Sequence, residues 1–163
     1  MPCNAVRRRF FSAVLAAAAL TLPYASAMPD AADEPERLHE EPHVILARVA
    51  RQMNVELRDD EPPPRVFLES RTPLAQFQDA VEAQWKHRPA RFANVYAVAS
   101  NEIYLSDDPS YYRRMRRTLD ESLAHEFTHY VQVRYLGADL ADESCEAQAL
   151  DVQMAFRRSS PAG

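Results

Sequence analysis

From His43 to Met53 the apolar residues Val44, Ile45, Val49 and Met53 recur at helical spacing, which predicts a first helix. Glu61-Pro62-Pro63-Pro64 then interrupts the chain, and Val66-Phe67-Leu68 marks a short strand within Arg65 to Glu69. Thr72 as N-cap, with Pro73 at the first helical position, opens a second helix. It carries Leu74, Phe77, Val81 and Trp85 and stops before Pro89. Phe92 to Ser100 and Glu102 to Leu105 read as two strands joined at Ser100-Asn101, a hairpin without a glycine at its turn.

The last third is patterned most clearly. Thr118-Leu119-Asp120-Glu121 is a capping box, in which Thr118 caps the backbone and Glu121 reaches back. Gly137 supplies a left-handed stop, so Leu119 to Leu136 forms one helix. Asp139 or Asp142 caps a final helix running to about Arg158. The expected class is α+β: a small mixed or antiparallel sheet of about three strands, packed on the long helix and the one that follows it.

Composition narrows the function. The 163 residues suit a single domain. Residues 1–27 hold Arg7, Arg8 and Arg9 and no acid, then an apolar run from Phe10 to Leu22, then Ala25-Ser26-Ala27. That is the order of a secretory signal peptide cleaved after about Ala27, and the run is shorter than the ~20 residues of a membrane span. The expected product is therefore exported, periplasmic or secreted, with no stable membrane span after cleavage. Arg7-Arg8-Arg9-Phe10-Phe11 also resembles a twin-arginine signal. Met28 to Pro42, rich in Pro, Glu, Asp and Ala, reads as a flexible leader, and 43–158 as the domain.

Without the signal peptide's three arginines, 19 basic residues become 16 against 24 acids, and the charge falls from −5 to −8. Such a chain lacks the basic face a nucleic-acid binder needs. Two glycines in the whole chain exclude Gly-rich phosphate loops. Of two cysteines, Cys3 leaves with the signal and Cys145 stays, so no internal disulfide forms.

Chemistry concentrates in His125-Glu126-Phe127-Thr128-His129. Two histidines four residues apart lie one above the other on a helix, where both rings bind one small ion and Glu126 reaches a water beside it. Leu119, Leu123, Phe127, Tyr130 and Val131 share an arc of about 120°, the expected core face. His125 and His129 lie outside it, beside Ser122, Gln132 and Leu136. The long helix continues about 10 Å past His129, and a returning helix that starts near Asp139 regains that level at Glu146. Glu143 falls about a turn short and is the fallback ligand. Cys145 points about 100° away from Glu146, while the small Ala149 lets the helices approach.

His125-Glu126-Phe127-Thr128-His129 followed by Glu146-Ala147-Gln148-Ala149 resembles the gluzincin branch of the zincin metallopeptidases. It looks most like small exported bacterial zincin-like domains without an assigned function, over roughly residues 64–158. The resemblance implies a zincin-like fold, zinc held by His125, His129 and Glu146, and Glu126 as the catalytic carboxylate. It further implies an edge strand for extended polypeptide substrate, which Tyr96 to Ser106 would supply. Larger gluzincins often carry an aspartate one turn past the ligand glutamate; here Leu150 stands there with Asp151 beside it. Candidates to stabilise the transition state are Tyr104, Tyr111, Tyr112 and His87.

The expected activity is an exported zinc-dependent peptidase in which a metal-activated water attacks and Glu126 is the general base. The alternatives are a non-catalytic exported binding protein on a zincin-like shell, and a zinc hydrolase of cell-wall peptide amides. Arg113-Arg114-Met115-Arg116-Arg117 reads as a solvated stretch ahead of the helix cap, in preference to an anchor for an acidic substrate or an envelope surface.

Overall fold

A computed structural model describes residues 34–159 of the chain. The expected signal peptide, residues 1–27, lies outside them. The described elements are α1 (Pro42–Gln52), β1 (Arg65–Leu68), a 3-10 turn (Glu69–Arg71), α2 (Leu74–Trp85), β2 (Val95–Ala97), β3 (Glu102–Leu105), α3 (Pro109–Met115), α4 (Leu119–Leu136) and α5 (Glu143–Ser159). No helix among them is long and apolar enough to cross a membrane.

The three strands form one mixed sheet in the order β1-β3-β2. β1 runs parallel to β3 with Phe67 opposite Tyr104, and β2 runs antiparallel to β3 with Tyr96 opposite Ile103. Side chains alternate across this sheet as the pleat requires. Ile103, Leu105 and Tyr96 face one core with Ile45, Val49, Leu119, Leu123, Phe127 and Phe156. Tyr104, Val95 and Ala97 face a second, smaller core with Phe77 and Val81 of α2. β3 is thus buried on both faces, between α2 on one side and the layer of α1, α4 and α5 on the other.

The expected core face of α4 is buried throughout: Leu119, Leu123, Phe127, Tyr130 and Val131 are at most 1 % exposed. Burial goes further round the helix than the pattern indicated. Asp120, Glu121, Ser122, Glu126, Thr128 and Gln132 are buried as well, because α4 is packed by the sheet, α1 and α5 together. Thr118 Oγ1 accepts the Glu121 N–H at 3.2 Å, the first half of the expected capping box. The Glu121 carboxylate goes to Arg157 of α5. Gly137 closes α4 at φ 64°, and Asp142 caps α5 by accepting the Ser144 N–H.

Three expectations shift. Thr72 does not cap α2: it is extended and closes the 3-10 turn, leaving Pro73 as N-cap with no side-chain bond. The strand expected from Phe92 shortens to Val95–Ala97, because β3 ends at Leu105 and the Ser106 N–H is taken by the Asn94 side chain. The turn is there, and Asn101 takes the left-handed conformation at φ 52° in place of a glycine. α3 was not foreseen, although Asp108-Pro109 is a cap followed by a first-turn proline, and Asp108 does accept the Ser110 N–H.

The flexible leader expected over Met28–Pro42 is, in its described part, tied to the domain. The Glu36 N–H donates to Asp107 O, and the buried Asp120 carboxylate accepts the N–H groups of His39 and Glu40.

Leu123→Ala removes a fully buried side chain from the larger core. It should lower the unfolding free energy by about 3 kcal/mol, read from urea denaturation. Asp120→Ala should free residues 36–40, so that limited proteolysis cuts there before the rest of the domain.

Candidate metal centre

α4 sets the His125 and His129 rings one above the other, with centroids 4.8 Å apart and the two Nε2 atoms at 3.1 Å. The six residues between α4 and α5 reverse the chain, and Glu146 arrives on the first turn of α5. Its carboxylate oxygens lie 3.4 Å from His125 Nε2 and 3.3 Å from His129 Nε2. One ligand atom from each of the three residues lies within 4.8 Å of the others. The fully buried Ala149 lets α5 come this close. Glu143, the fallback, begins α5 and is exposed; Cys145 turns its Sγ to Asp139 O at 3.5 Å. Of the expected ligands, the fold brings together His125, His129 and Glu146.

Hydrogen bonding around His129 tests whether these groups suit a cation. Gln132 Nε2 donates to Cys145 O at 2.8 Å and to Gln148 Oε1 at 2.9 Å, which fixes the amide so that its oxygen faces His129. That oxygen lies 2.9 Å from His129 Nδ1 and can only accept, so Nδ1 carries the ring proton of a neutral His129. Nε2 then turns a lone pair toward an anionic carboxylate, a repulsive arrangement unless a proton or cation lies between. The separations of 3.1, 3.3 and 3.4 Å are close to the ~3.3 Å edge of a tetrahedron with zinc-ligand bond lengths. The donor set therefore fits zinc.

Glu126 stands on the same helix in a different environment. It is 4 % exposed, and the backbone of Tyr96 in β2 is its hydrogen-bond partner. Burial, and secondly the charge of Glu146, push its carboxyl up to about 8. A cation beside it would act in the opposite direction. The His125 ring is held below its usual range by burial first and by His129 next, with the Arg117 charge a smaller contribution in the same direction. Gln153, two turns after Glu146 on α5, is the hydrogen-bond partner of His125.

His125, Glu126 and Glu146 line one cleft of about 1010 Å³, with Phe92, Arg114 and Arg117 among the other lining residues. The edge expected for substrate over Tyr96–Ser106 needs correction. β3 is the central strand, and the outer edge of β2 is engaged: Tyr96 O accepts from Gln84 Nε2 and the Val98 N–H donates to Gln84 Oε1. The segment Ala90 to Asn94, ahead of β2, lines the cleft instead.

The four candidates for a transition-state donor are also sorted by the fold. Tyr104 lies in the smaller core and donates to Glu102, and Tyr112 is buried and donates to Ser106 O. His87 is exposed and stacks on Trp85. Only Tyr111 of the four lines the cleft. Leu150 lines it too, and Asp151 is exposed, so neither orients a histidine. That task falls to Gln132 beside His129 and Gln153 beside His125, neither of them an aspartate. Their signal was spacing, one turn past His129 and two turns past Glu146.

Compared with protein-family models, with curated proteins and with solved structures, the chain has no significant match to any of them.

Gln132→Ala should lower zinc affinity by about 10- to 100-fold with the helical signal unchanged, measured by competition against a chromophoric chelator.

Proposed function

We propose that this chain is an exported zinc-dependent peptidase, with His125, His129 and Glu146 as the zinc ligands and Glu126 as the general base. One observation carries the reading: two histidines and a carboxylate converge at a cleft whose wall also presents a buried carboxylate. Zinc, when bound, supplies a Lewis acid that polarises a carbonyl and acidifies a water.

The chain's own residues do the rest. Gln132 lies against His129 Nδ1 and so turns that ring's Nε2 to Glu146, and His125 Nε2 faces the same carboxylate. Glu126 is fixed between α4 and the backbone of Tyr96, and takes the proton of the attacking water before giving it to the leaving nitrogen. Its burial excludes bulk water from that transfer and favours a carboxylate that readily holds a proton. Ala90 to Asn94 line the cleft, where an unfolded polypeptide would lie.

A non-catalytic binding protein is the second reading. It is favoured by the displacement of Tyr104, Tyr112 and His87 from the cleft, which leaves Tyr111 alone among those candidates as a transition-state donor.

Two measurements test the proposal. Elemental analysis of protein purified without added zinc should find about one zinc per chain, lost in His129→Ala. Glu126→Gln should keep the zinc and lose hydrolysis of an unfolded polypeptide by a factor of about 100 or more. Undiminished hydrolysis in that variant would exclude Glu126 as the base. Zinc binding without hydrolysis in the wild type would favour the second reading.

A further inference from the structure

The arginine run before α4 is divided by the fold. α3 ends at Met115, and Arg116 turns the chain in a left-handed conformation at φ 52°, its carbonyl accepting from Arg157. Arg114 and Arg117 line the cleft that holds His125, Glu126 and Glu146. Arg117 is half-buried in that wall, and its charge is felt at His125. Among the described residues no carboxylate pairs with the Arg117 side chain. Arg114 is exposed and lies 6.0 Å from the centre of the Tyr111 ring. A third polar side chain lines the same space: Gln153 is 4 % exposed, and its buried Nε2 has no hydrogen-bond partner among the described residues.

An unpaired guanidinium close to a cation site works against the cation, and a buried N–H left unbonded costs about 1–3 kcal/mol. Both are offset by one kind of occupant, an anionic acceptor lying in the cleft. A planar guanidinium matches a carboxylate in a two-point hydrogen bond.

We propose that Arg117, with Arg114 and the Gln153 amide beside it, binds a carboxylate of the substrate. The cleft then selects peptides with an acidic group near the bond to be cut, either an Asp or Glu side chain or a free C-terminus. That the substrate is a peptide rests on the peptidase reading. The carboxylate subsite rests on the cleft wall alone.

Fluorescence anisotropy on the zinc-loaded Glu126→Gln chain tests this with three labelled hexapeptides. One carries a central glutamate and an amidated end, one a central glutamine and an amidated end, and one a central glutamine and a free end. A carboxylate-bearing peptide should bind about tenfold more tightly than the neutral amide. Tight binding of the first or the third identifies side chain or chain end as the source. The advantage should vanish in Arg117→Gln, return in part in Arg117→Lys, and persist in Arg51→Gln on α1. If Arg117→Gln melts early, Arg117→Lys and Arg114→Gln carry the same comparison.

Equal affinity for all three peptides, binding of none, or an Arg117→Gln variant that weakens all alike overturns the proposal. Wild-type cleavage without carboxylate preference overturns it and leaves the peptidase reading standing. Arg117-dependent preference without cleavage leaves the subsite and removes the peptidase.

Discussion

A helix buried on most of its circumference must find partners for every polar side chain it carries, and α4 organises the domain around that requirement. Asp120 accepts backbone N–H groups of the segment before α1, Glu121 takes Arg157 of α5, Glu126 bonds the backbone of β2, and Thr128 donates to Ala124 O within the helix. Gln132 joins His129 to the backbone of α5. Apart from the Thr128 bond, they tie the segment before α1, β2 and α5 to the same helix. What they leave is an inward-facing set, the Nε2 atoms of His125 and His129 and the carboxylate of Glu146, turned toward one another.

The arrangement explains why the site is precise although the sheet is small. Three strands of three or four residues offer few ladder bonds. Side-chain bridges do much of the positioning instead: Gln84 along β2, Arg157 between α5 and the start of α4, and Gln132 between the middle of α4 and the start of α5. The contacts of α5 step backward along α4, with Arg157 at Glu121, Glu146 at His125 and His129, and Cys145 at Gln132. That antiparallel register sets which acidic residue of α5 meets the histidines.

The charge distribution separates the cleft from the rest of the surface. The chain is acidic overall, with a formal charge of −5. Its cleft nevertheless gathers arginines at 91, 114 and 117. Several of the lining acids are engaged locally: Asp107 accepts from Ser70, Asp108 caps α3, and Glu69 accepts from Ser106. The positive side of the cleft is therefore more available to a ligand than residue counts suggest.

The sequence by itself determined what depends on near neighbours in the chain. The ends of α4 follow from Thr118 and Gly137, the core face from Leu119, Leu123, Phe127, Tyr130 and Val131, and the stacking of His125 over His129 from the helical repeat. Glu146 was also within reach, because a short reversal between two helices leaves little freedom in register. Tertiary structure decided the rest. It made β3 the central strand, turned Tyr104 and Tyr112 away from the cleft, set Gln132 against His129, and split the arginine run across the turn after α3. Those outcomes depend on which elements pack against a residue from outside its own helix or strand, and no local periodicity records that.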